Sequence, residues 1–80
     1  MSESPSASTG PPVYTLKLEG HLDRTWAESF TDFVLSHALE PDGSPVTYLR
    51  GPVPDEAALH GYLARIRDLG IPLLMVEREL

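Results

Sequence analysis

The sequence predicts one α+β domain of four strands and two helices, and three observations carry the prediction. Short stretches such as "VYTLKLE" alternate apolar and polar residues, as a half-covered strand requires. A longer stretch from Leu59 to Leu69 repeats apolar residues at helical spacing. Glycine and proline mark each change of period. In chain order the elements read strand, helix, strand, strand, helix, strand, which is the split βαβ, ferredoxin-like order βαββαβ.

Each element has its own reason. In the first strand Tyr14, Leu16 and Leu18 point one way and Thr15, Lys17 and Glu19 the other, and Gly20 ends it. Asp23 can then cap a short helix by accepting from the backbone N–H of Thr25 or Trp26, with Leu22 and Ala27 as a weak hydrophobic staple. Trp26, Ala27 and Phe30 form that helix's buried side. "FVLSHALE" is the second strand, with Phe33, Leu35 and Leu39 in phase. "PDGSP" is a turn, because Pro41 sets φ and Gly43 accepts a left-handed conformation. "VTYLRG" pairs with the second strand as a hairpin, and Pro52 and Pro54 stop it.

Asp55 and Glu56 place negative charge at the positive end of the second helix. Leu59, Tyr62, Leu63, Ile66 and Leu69 form its apolar stripe, and Gly70 terminates it. Gly61 costs this helix about 1 kcal/mol against alanine. Close approach of the first helix near Trp26 is the expected compensation. "IPLLMVERE" supplies the last strand, with Leu73 and Met75 opposite Leu74 and Val76.

Size and charge bound what the domain can do. Eighty residues make one domain, and the absence of cysteine rules out disulfides and thiolate metal sites. Residues 1–12 are mostly Ser, Pro, Gly and Ala with one glutamate and read as a disordered tail, leaving 13–80 as the domain. Twelve acids against six bases give a charge of −6, which opposes phosphate binding and so nucleic acid and acidic membranes. No apolar run approaches a membrane span and the amino terminus is no signal peptide, so the reading is cytoplasmic.

The topology expected is a four-stranded antiparallel sheet in the order 4-1-3-2 with both helices on one face. The first and third strands are read as running the same way, so that their carboxyl ends share a corner. His21, Asp23, Arg50, Asp55 and His60 would gather there, beside both helix starts. The other face of the sheet would stay open, with an apolar portion at Val46, Tyr48, Leu74 and Val76.

The words "GHLDRTWAESF", "TYLRG" and "DEAALHGYLARIRDLGIPLL" resemble a family of short, uncharacterised bacterial proteins over roughly residues 14–76. That resemblance implies a small single domain and assigns no residue a role. Within the expected fold, acylphosphatase chemistry is excluded because "GHLDRTW" lacks a glycine-rich phosphate loop and Asp23 would repel phosphate. RNA recognition is disfavoured because Thr15 and Lys17 stand where aromatic platforms belong.

Each candidate has a plain structural explanation. Asp23 is a common cap, and His21 beside it is either a neighbour bonded to a carbonyl or a base oriented by Asp23. His60 is a helix-packing residue, or a partner of His21 in a two-histidine, one-carboxylate metal site; the set carries neither metal-ligand spacing nor any cofactor signature, so none of either is assigned. Arg65 and Arg67 suit a solvated helix end. No catalytic set is complete. The expectation is a non-enzymatic binding module that pairs with itself through the open sheet face as a homodimer, with an unidentified protein or a small acidic ligand as the further partner class. The alternative is a small enzyme or ligand sensor using the His21, Asp23, Arg50 and His60 corner.

Overall fold

Strand β1, Val13–Glu19, buries Leu16 and Leu18 completely while Glu19 stays exposed, as the alternation demands. In the computed structural model residues 10–23, 25 and 28–79 are described. Strand β2 spans Val34–Leu39, β3 Pro45–Pro52, helix α1 Glu56–Asp68, and β4 Leu73–Glu79. Among the described residues a 3-10 turn, Glu28–Phe30, lies between β1 and β2.

The four strands form one sheet in the order β2-β3-β1-β4, and every neighbouring pair is antiparallel. Read from the β4 edge this is the expected order, 4-1-3-2, but the expected ferredoxin-like pair of helices on one face is corrected. The described residues form one α-helix, not two. Of the predicted first helix the described residues hold Thr25, which is helical, and the 3-10 turn, while Arg24, Trp26 and Ala27 lie outside them, as do residues 1–9 and Leu80. Of the expected tail, Pro12 is described, and its carbonyl accepts from Val53 N at 2.8 Å.

Strand direction is a second correction. β1 and β3 run in opposite senses, with Val13 opposite Pro52 and Glu19 opposite Val46. The hairpin between β2 and β3 reverses the chain, whereas the link from β1 to β2 does not. β3 must then oppose β1.

Local chemistry explains why the elements end where they do. Gly20 adopts φ +87° after β1, a conformation that costs a side chain dearly. Asp55 caps α1 by accepting from Ala58 N at 2.8 Å. Leu16, Leu18 and Leu49 meet Phe30, Phe33, Val53 and Ile66 in the core between the sheet and α1. The aromatic rings interlock: Phe33 meets Tyr62 at 4.9 Å and Phe30 meets it at 5.8 Å. That contact ties the β1–β2 connection to α1.

Gly51 makes that packing possible, because a Cβ there would sit 2.7 Å from the Asp32 carbonyl oxygen. Gly61 has no such duty among the described residues: nothing lies within 4 Å of a Cβ built there.

Candidate functional site

The corner after β1 is assembled by one buried hydroxyl. Thr47, fully buried on β3, donates from Oγ1 to the Gly20 carbonyl at 2.7 Å and accepts from Leu22 N at 3.0 Å. Gly20 N–H in turn donates to the Pro45 carbonyl at 2.8 Å. The turn of chain at Gly20–Leu22 is thus fastened to the start of β3.

Two histidines close the same corner from the β2 side. His37 Nε2 lies 2.8 Å from the Leu22 carbonyl oxygen, and His21 Nε2 lies 3.0 Å from the Ala38 carbonyl oxygen. A carbonyl only accepts, so both Nε2 atoms carry the proton. The rings stack at 4.4 Å with 14° between their planes. This reciprocal lock joins the end of β2 to the loop leaving β1. His37 was not among the residues singled out from the sequence. A signal was there: it stands in phase with Leu35, on the strand face turned to the core, where an apolar residue is the default.

Asp23 does not orient His21. Its carboxylate accepts from Thr25 N at 3.3 Å, the capping contact expected of it. No acid-histidine dyad arises at this corner.

The remaining predicted site residues lie elsewhere. Arg50, Asp55 and His60 belong to the end of the sheet where Gly51 faces Tyr14, while Gly20 faces Pro45 at the other. Six residues of strand separate those ends, about 20 Å at the usual rise. The five-residue corner is therefore not formed, because it depended on β1 and β3 running the same way. Arg50 crosses the open face to Glu79, with Nε 2.9 Å from Glu79 Oε1. Asp55 caps α1, and His60 is exposed on it. Among the described residues no three histidine, aspartate or glutamate side chains converge as metal ligands.

The open sheet face also differs from expectation. Tyr48 lies on it, half-buried, and Lys17 stands over its ring at 5.9 Å while bonding Glu40 at 2.8 Å. Donating that hydrogen bond to the Glu40 carboxylate raises the Lys17 pKa above its ordinary value, although desolvation acts the other way. Val46 is on this face too but only 1% exposed, lining a shallow depression of about 410 Å³ with Glu19, Glu40, Ser44 and Leu74. Val76 is on the opposite face, opposite Leu16.

A β-bulge explains that reversal. Leu73 pairs with Leu18 and Met75 with Lys17, so one extra residue on β4 faces the step between Lys17 and Leu18. The alternation of side chains therefore changes phase at Leu74. Leu74, 49% exposed, is left on the open side beside Val46.

No helix among the described residues is long and apolar enough to cross a membrane. No curated protein and no solved structure matches the chain. A model for a domain of unknown function matches residues 13–77, from the first residue of β1 into β4, and the chain belongs to that family, DUF8691.

Proposed function

We propose that this chain is a non-enzymatic interaction module that works by associating with a second copy of itself through its sheet. One observation carries the reading: the polar candidates serve the fold, while large apolar side chains stand exposed on the sheet. Asp23 holds Thr25, Asp55 holds Ala58, Arg50 holds Glu79, and His21 holds Ala38. Against that, Val34 is 69% exposed, Leu39 65% and Leu74 49%. Two of these, Val34 and Leu39, share the edge strand β2, and exposed apolar groups of this size favour a partner surface over a reactive site. A small domain also gains from enlarging its buried area by self-association.

Sedimentation equilibrium or light scattering over a wide concentration range tests the reading. The expected mass is twice the 8.8 kDa of one chain. A monomer that persists to high micromolar concentration overturns it.

A further inference from the structure

The two edges of the sheet are unequally protected. β4 carries Glu77, Arg78 and Glu79 and is kinked by the bulge near Leu74. Charges and bulges are the usual means of stopping an edge from pairing with another chain. β2 has neither. Its six residues, VLSHAL, include no Asp, Glu, Lys, Arg or Pro, and its register with β3 is unbroken from Val34 opposite Arg50 to Leu39 opposite Pro45. It is also the only strand of the sheet without a charged residue.

We infer that two copies join along β2, antiparallel about a two-fold axis beside Ser36, to make one continuous eight-stranded sheet. The inference rests on the self-association reading above and specifies its surface. Charge selects the occupant. The chain carries −6, so most faces of two copies repel one another. Neutral β2 is a place where the copies can meet without opposing like charges. A two-fold axis presents the same strand from both sides, so its neutrality matches itself.

The hydrogen-bonding pattern decides which residues can bond across the seam. Glu40 N donates to the Ser44 carbonyl at 2.8 Å, which makes Glu40 and Ser44 a bonded pair of the hairpin. By alternation Ala38, Ser36 and Val34 direct their backbone groups inward to β3, while Leu35, His37 and Leu39 direct theirs to the free edge. Gly20 N–H bonding the Pro45 carbonyl agrees, since Pro45 must then turn toward β1 and away from β2. Bonded pairs across the seam therefore join odd-numbered residues. Leu35 meets His37 of the other copy twice, once on each side of the axis. Ser36 then faces Ser36, and Val34 faces Ala38 on the open side.

The histidine lock contributes by holding β2 in place. With His37 bonded to Leu22 and His21 to Ala38, the strand's carboxyl end is fixed to the rest of the chain before a partner arrives. Less ordering is then needed on association.

Since the chain has no cysteine, a single Ser36→Cys reports the seam directly. Facing residues of a non-bonded antiparallel pair have Cα atoms about 4.5 Å apart, within disulfide reach. Mild oxidation should give a covalent dimer of Ser36→Cys at low micromolar concentration, while Thr15→Cys, on central β1, should not. Val34→Lys, at an exposed position, should keep the native circular dichroism and weaken the dimer about tenfold or more. A dimeric wild type whose Ser36→Cys form does not cross-link and whose Val34→Lys form stays dimeric overturns the β2 seam but leaves self-association standing. If Tyr48→Asp alone splits that dimer, the copies meet face to face instead. A wild type that stays monomeric, its β2 edge left to some other protein's strand, overturns both.

Discussion

Alanine at Gly51 would test how closely the β1–β2 connection packs on the end of β3. The added Cβ would lie 2.7 Å from the Asp32 carbonyl oxygen, 2.8 Å from Phe33 Cγ and 3.0 Å from Phe33 Cα. Ordinary carbon contacts begin near ~3.5 Å, so the connection must retreat by about half an ångström or more. Two of those three atoms are backbone. Phe33 cannot swing aside freely, being 7% exposed and held edge-on by Tyr62 at 4.9 Å. Overpacking of this kind costs about 1–3 kcal/mol, and the backbone contacts place Gly51→Ala at the upper end. For a domain of this size that lowers Tm by roughly 12–24 °C. Urea titration followed by far-ultraviolet circular dichroism measures it. Gly61→Ala is the internal control: exposed in α1 with nothing near its Cβ, it should instead stabilise by about 1 kcal/mol. A Gly51→Ala protein within ~0.5 kcal/mol of wild type, the usual range for a harmless surface change, would refute the close approach.

Thr47→Val keeps the shape but strands the Leu22 N–H and the Gly20 carbonyl, and should cost about 3 kcal/mol with faster hydrogen exchange at Leu22. Thr47→Ser, which loses only a methyl, should cost about 1 kcal/mol. Asp55→Ala removes the cap on Ala58 and should lower the urea-derived stability by about 1 kcal/mol, with Asp55→Asn close to wild type. The Ser44 backbone N–H holds the Asp42 carboxyl below its ordinary 3.8, so its contribution is complete above that pH and disappears as pH falls through the lower folded value. Asp42→Asn should therefore flatten the acid limb of the stability curve. Lys17 behaves in the opposite sense: its raised pKa makes its contribution complete below 10.5 and lost as pH climbs through the folded value, so Lys17→Met should flatten the alkaline limb.

Sheet position was partly legible before the structure. Tyr48 and Lys17 were expected together on the open face and are found there. Val46 shares the face but is covered, because exposure depends on neighbours such as Glu40 and Leu74 that no alternation pattern specifies. The candidate corner failed at one step. His21 and Asp23 share one loop without touching, and Arg50, Asp55 and His60 were joined to them only through the direction assigned to β3. His37 went unnoticed because its bond to Leu22 spans fifteen residues of chain.

The sequence by itself determined the elements whose causes are local. The alternation of β1, the helical stripe of α1, the Asp55 cap and the left-handed glycines at positions 20, 43 and 70 all act within a few residues. Only the tertiary structure decided which way β3 runs beside β1, which histidine meets His21, and where the bulge turns Val76 onto the core side. These depend on pairings between distant segments, and their energies arise only once the chain has closed those loops.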